Sequence, residues 1–112
     1  MANTERLAAL EAVREAKSIA QKIRFDTSLP VEDRQKAEEA FIELDKLEDD
    51  LVLEAIEEKV SALEKASGRL EKIAGQLKKQ DEKLKEFADK LEKAAKAVSI
   101  VVSVVSKATT II

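Results

Sequence analysis

The sequence of 112 residues contains no cysteine, histidine, tryptophan or tyrosine. Without cysteine and histidine it has no disulfide, no thiol or imidazole catalyst, and few of the side chains that hold zinc or transition metals. Two glycines and one proline are too few for a β-sandwich or barrel, in which turns recur about every ten residues. We therefore predict a protein that is not an enzyme and has no catalytic, cofactor-binding or metal-binding residues.

The residues that are present favour long helices. Hydrophobic residues make up 45% of the chain and charged residues 38%, mostly as Ala, Leu, Glu and Lys. The length fits a single helical domain over residues 1–112. Residues 31–62 carry a net charge of −8 and residues 63–112 a net charge of +4. This separation indicates that an acidic helix packs antiparallel to a basic one.

Two breaks divide the helical pattern into three parts. Residues 26–30, with Pro30 last, form a short loop that makes the first two helices antiparallel neighbours. Glycine is a common helix stop, so a second turn is expected at Ser67-Gly68. The predicted fold is an all-α, elongated antiparallel three-helix bundle or coiled-coil hairpin, with helices at about 4–25, 31–66 and 69–110. The alternative is one continuous rod over residues 31–110.

A strict heptad repeat runs from Leu63 to the C-terminus, with large apolar residues at most a and d positions. Gln80 is the polar exception, and it either fixes the register of a partner or marks a gap in the stripe. We predict that this seam contacts other helices, in the same chain or in a partner. Its main residues are Leu63, Leu70, Ile73, Leu77, Leu84, Phe87, Leu91, Val98, Val101 and Val105.

The C-terminal segment, residues 94–112, is the most apolar part of the chain. Serines and lysines form a polar arc that leaves more than half of the helix circumference apolar. Ile100, Val104 and Ile111 lie away from the heptad seam, so they belong to the core, to an oligomer interface or to a membrane-inserting face. The uninterrupted run between Lys96 and Lys107 is about half the roughly 20 residues that a spanning helix needs.

Charged clusters elsewhere indicate solvated helix faces. The carboxylates of the acidic region mostly face outward and have no histidine beside them, unlike those of helix-borne di-metal sites. The lysines of the last helix alternate with acidic residues, whereas nucleic-acid binding needs a cleaner basic stripe. The sequence has no phosphate loop, catalytic triad or dinucleotide motif. We expect neither nucleic acid nor a small-molecule substrate as a ligand.

The order of elements, amphipathic helices followed by an Ala/Val/Ile/Ser-rich segment, resembles part of an α-helical pore-forming toxin. It is also similar to many coiled-coil scaffolds, and neither resemblance includes a residue motif that assigns a site. The leading hypothesis is a non-enzymatic protein that self-associates or binds another helical protein through the seam and the C-terminal helix. The alternative is a membrane-active component. The charged first residues, Glu5 and Arg6, lead us to expect no signal peptide and a cytoplasmic location, with membrane association as the variant.

Overall fold

The computed structural model describes residues 3–52, 56–77 and 81–111. These residues form four α-helices and a 3-10 turn at Ile56–Lys59. The helices are α1 at Asn3–Arg24, α2 at Val31–Leu51, α3 at Val60–Gln76 and α4 at Glu82–Ile111. The predicted all-α class is confirmed for these residues, whereas the predicted count of three helices is wrong.

The turn predicted at Ser67-Gly68 lies in the middle of α3. Gly68 points away from the bundle, where an added Cβ would meet nothing within 4 Å. Leu63 and Leu70 on the opposite side of α3 are fully buried, and their packing holds the helix together across the glycine. A glycine on the outward side of a packed helix is therefore compatible with continuation, and the hairpin prediction placed its turn at the wrong residue.

The observed breaks also exclude the continuous rod. Helix α2 ends at Leu51, where three consecutive large apolar residues cannot share one helix face. Helix α3 ends at Gln76, because Leu77 takes an extended backbone with ψ 142° while its side chain stays buried. The carboxylate of Asp81 then accepts the backbone N–H of Lys83 at 2.8 Å and caps the start of α4. Gln80, for which the sequence leaves both a register role and a simple gap in the stripe open, lies outside the described residues.

The loop between α1 and α2 lies where the sequence predicts it. Asp26 Oδ1 accepts hydrogen bonds from the backbone N–H and the hydroxyl of Ser28, at 2.9 and 2.5 Å. Pro30 precedes α2, and its carbonyl accepts the N–H groups of Asp33 and Arg34. The fixed φ of proline suits this first turn, so the local sequence determines this connection.

The helices pack as a ring of antiparallel neighbours, α1–α2–α3–α4, in which α4 also contacts α1. Ion pairs join neighbouring helices, and between α1 and α2 the partner's number falls along α2 as the residue number rises along α1, which is the antiparallel direction. These pairs include Arg14–Glu48 and Arg24–Glu38 between α1 and α2, Arg69–Glu43 between α3 and α2, and Lys90–Glu15 between α4 and α1. The bundle measures 52 × 20 × 19 Å. Because α2 and α4 each pack against both α1 and α3, they lie diagonally opposite each other.

One hydrophobic cluster runs through the bundle and takes residues from all four helices. Helix α1 contributes many alanines, which allow the neighbouring helix backbones to come close. The buried Ser67 hydroxyl donates to the carbonyl of Ala95 at 2.8 Å and marks a similarly close contact between α3 and α4. Phe87 and a set of fully buried leucines fill the wider parts of the core.

Candidate interaction surface

The heptad seam lies inside the bundle. Its ten predicted residues are at most 8% exposed, and most have no exposed area. They belong to α3, to the residue that follows it, and to α4, and they pack against the other helices of the same chain. In this fold their side chains are not accessible to a partner, so an interaction surface has to be sought among the residues outside the seam.

The C-terminal half of α4 leaves apolar area uncovered. Ile100 is 47% exposed, and Ala97 and Val104 beside it are partly exposed. We call these three residues the C-terminal face. Ile111 was predicted to belong to the same face, but its side chain lies outside the described residues.

The last residues of α4 extend beyond the neighbouring helices, whereas Ala97 and Ile100 lie beside them and are partly exposed on the outward side of α4. Because Lys90 meets Glu15, antiparallel counting places Val102 level with Asn3, the first described residue of α1. The Ser67–Ala95 hydrogen bond similarly places Val102 level with the start of α3 at Val60. The last nine residues of α4 therefore extend about 13 Å beyond the described starts of both neighbours, at 1.5 Å per residue.

The residues of α4 around the C-terminal face are basic and hydroxylic. Beyond Glu92 the chain has three lysines and no acidic residue. The polar arc predicted from the sequence is exposed where its side chains are described: Lys96, Ser99, Ser103, Ser106 and Lys107. The main feature of this end of the bundle is therefore the half-exposed Ile100, with Lys96 one turn before it and Lys107 two turns after it.

A second exposed surface lies on α2, on the side that points away from the bundle. We call it the α2 face, and Ile42, 48% exposed, is at its centre. Helix α2 contains nine acidic and three basic residues, a net charge of −6. The exposed residues of the α2 face include Glu38, Glu39, Ile42, Asp45, Lys46, Asp49 and, just after the helix, Val52. The sequence pattern had one signal for this surface, since Ile42 falls outside the inward stripe of α2.

An open groove of about 430 Å³ separates α2 from α3 beside Ile42. Its floor includes Ile73, and its walls carry charges of both signs, with Glu43 and Arg69 joined by an ion pair at 2.6 Å. The groove continues the exposed area of the α2 face toward α3. Its mixed charges do not select one class of small molecule.

The acidic charge of α2 is partly neutralised by α1. The ammonium of Lys17 donates to Asp45 at 2.6 Å and to Glu48 at 2.9 Å, and these bonds raise the pKa of Lys17 above its usual value. Lys17 and then Arg14 hold the pKa of Glu48 below its usual range. The predicted pairing of the acidic second helix with the basic later helices is represented by the Arg69–Glu43 contact, while much of the neutralisation comes from α1.

An aromatic cluster lies at the other end of the α1–α2 contact. The guanidinium of Arg24 is 3.9 Å from the centre of the Phe41 ring and 4.7 Å from that of Phe25. It also donates to Glu38 at 3.1 Å. These contacts fix the end of α1 against α2, and the cationic group has its partners within the chain. We read the cluster as structural.

No group of side chains in the described ranges could hold a metal ion. Within the same ranges, no helix is both long enough and apolar enough to cross a bilayer. Comparison with known protein families, with curated proteins and with solved structures gives no match to this chain. We take the C-terminal face and the α2 face as the candidate interaction surfaces; Leu7, Phe25 and Val31 are further exposed large apolar side chains in the described ranges.

Proposed function

We propose that this protein is a non-enzymatic helical interaction protein that associates through the C-terminal face of α4. The partner is another helix, in the first place one from a second copy of this chain. The observation that carries the proposal is Ile100, a large apolar side chain left 47% exposed on the outward side of α4. Such an uncovered apolar stripe is typical of a surface that another helix covers.

The heptad seam has a different role in this proposal. Residues such as Leu91 and Val98 have no exposed area, so a partner would have to open the bundle to reach them. Opening would expose the whole apolar core at a cost that a single helix–helix contact does not offset. We therefore assign the seam to the core and the association to Ala97, Ile100 and Val104.

Sedimentation velocity over a wide concentration range tests this function. We expect the wild-type mass to rise with concentration and Ile100→Asp to weaken the association about tenfold or more. Full burial of an isoleucine side chain contributes about 1.5–3 kcal/mol, so covering the exposed half of Ile100 contributes about half of that, and desolvation of the aspartate carboxylate adds to the loss. A change of about 1.4 kcal/mol corresponds to a factor of ten. Ser99→Asp, which adds the same charge to the polar arc of the same helix, is the control and should change the association little.

A wild-type protein that remains monomeric up to high micromolar concentration contradicts the proposed self-association. Equal association of wild type and Ile100→Asp would show instead that the contact lies elsewhere on the bundle. Circular dichroism of each variant establishes that the helices are intact before the masses are compared.

A second candidate function uses the same surface at a membrane. Ile100 and Val104 are flanked by lysines without nearby acidic residues in α4, a composition that suits shallow insertion into an anionic bilayer. Flotation with anionic vesicles would then be lost in Ile100→Asp and kept in Ser99→Asp. This candidate places the protein at a membrane surface, whereas the first keeps the cytoplasm as its compartment.

A further inference from the structure

We infer that the C-terminal face of α4 docks on the α2 face of a second copy, so that copies join head to tail. The inference rests on the proposed function and adds the identity of the partner surface. It is carried by the complementary charge and the matching exposed isoleucines of two surfaces on one molecule.

The charges of the two surfaces are opposite. The α2 face carries four carboxylates and one lysine, while α4 from Lys93 onward carries three lysines and no acidic residue. Glu38 and Asp45 have ion-pair partners on α1, yet their side chains are still 50% and 53% exposed. Their negative potential therefore remains available at the surface, where it favours a basic partner and disfavours an acidic one.

The apolar parts of the two surfaces also match. Ile42 and Ile100 have nearly equal exposure, 48% and 47%. Ile42 has an exposed carboxylate four residues before it, at Glu38, and another seven residues after it, at Asp49. Ile100 has lysines at the same two distances along α4, Lys96 and Lys107. Stacking the two isoleucines thus brings carboxylates and ammonium groups to the rim of one contact, the usual arrangement of an apolar centre with a polar rim.

The C-terminal face and the α2 face of one molecule cannot contact each other. Helices α2 and α4 are diagonal in the bundle, so their outward sides point in opposite directions. A contact between two different surfaces is heterologous, and it leaves one free surface of each kind on every dimer. Association therefore continues beyond the dimer, either as a ring or as an open chain.

Two blocked variants test the inference. Ile42→Asp blocks the α2 face and Ile100→Asp blocks the C-terminal face, and each exposed position accepts a polar side chain without loss of core packing. We expect each variant alone to be monomeric where the wild type forms multimers. Their equimolar mixture retains one intact contact, so native mass spectrometry with one variant isotope-labelled should show a mixed dimer and no larger species.

The outcomes separate the inference from the proposed function. If Ile100→Asp is monomeric and Ile42→Asp associates like the wild type, the partner surface is not the α2 face, and the proposed function stands. If both variants associate like the wild type, both proposals are wrong. If each variant is monomeric and the mixture stays monomeric, the contact is not head to tail, and the inference fails.

A charge-reversed pair provides a second measurement that leaves both isoleucines in place. Asp49→Lys and Lys107→Glu should each weaken association about twofold to fivefold, in line with exposed ion pairs, and mixing them should restore it. The wild-type association should also weaken as salt concentration rises. Association that is insensitive to both charge reversals and to salt contradicts the proposed charge complementarity.

Discussion

At the scale of single residues, the bundle depends on a few polar contacts placed where helices begin, end or touch. Ser67 satisfies its buried hydroxyl on a carbonyl of the neighbouring helix, which allows a polar residue at a core position. Arg24 is held between two phenylalanine rings and a carboxylate. Asp26 both orders the loop after α1 and contacts Lys83 of α4 at 3.0 Å. Each contact fixes the position of a helix end or a helix pair.

The acid stability of the protein should depend in part on Asp26. Hydrogen bonds from the Ser28 hydroxyl, and then from Lys83 and the Ser28 backbone, lower the pKa of Asp26 from 3.8 to about 2. A carboxyl whose pKa is lower in the folded state stabilises the fold at pH values above its pKa in the unfolded state. This stabilisation is lost as the pH falls through its pKa in the folded state. We expect the free energy of unfolding to fall less steeply between about pH 4 and about pH 2 in Asp26→Asn than in the wild type.

Urea titrations at several pH values measure this difference, and they should also show that Asp26→Asn is the less stable protein at neutral pH. Asp49→Asn, at an exposed site on α2, serves as the control and should follow the wild-type curve more closely. Parallel pH dependence of Asp26→Asn and wild type over this range would show that the loop contacts add nothing to stability.

At the scale of elements, the helix breaks follow packing more than local residue preference. The proline before α2 acts locally, since it fixes its own φ and restricts the residue before it, and this boundary could be predicted. Gly68 has no such effect, because glycine is compatible with a helix stop and with an outward helix position alike. The end of α2 at Leu51 was not predicted, because the consecutive large apolar residues that begin there are also compatible with a continuous helix contacted from two sides. Only the packed bundle distinguishes these alternatives.

Replacing Gly68 with alanine should stabilise the protein by about 0.5–1 kcal/mol. Alanine loses less conformational freedom than glycine in a helix, and the added methyl group meets open space. If the chain turned here with Gly68 in the left-handed region, the alanine would lower the free energy of unfolding instead. Chemical denaturation of Gly68→Ala and wild type measures the difference, and destabilisation by the alanine would contradict a continuous α3.

At the scale of the whole molecule, the same heptad pattern serves a different purpose from the one that the sequence favoured. A seven-residue apolar repeat specifies that a helix face is covered, and it does not specify whether the cover comes from the same chain. Here the ten seam residues are covered by the other helices of the bundle. Ile42 is exposed because no other helix covers its side of α2, and the relative positions of the four helices could not be predicted from the repeat.

Truncation of a seam residue should therefore lower stability. Leu91→Ala should reduce the free energy of unfolding by about 2–5 kcal/mol, since it leaves a cavity at a fully buried position. Ile100→Ala on the same helix is the matched control, and at a protein concentration that favours the monomer it should have a much smaller effect. Thermal or urea unfolding measures both. An unchanged unfolding free energy in Leu91→Ala would contradict the assignment of the seam to the core.

The closed ring of helices has a consequence for the order in which the protein folds. The α1–α2 and α3–α4 pairs join helices that are consecutive in the chain, and such local contacts form quickly. The α1–α4 contact, which includes Glu15 and Lys90, joins segments that are far apart in sequence. Its formation therefore closes the longest loop and costs the most loop-closure entropy. We expect two helical hairpins to form first and to dock on each other last, with the α1–α4 contact closing in the rate-limiting step or after it.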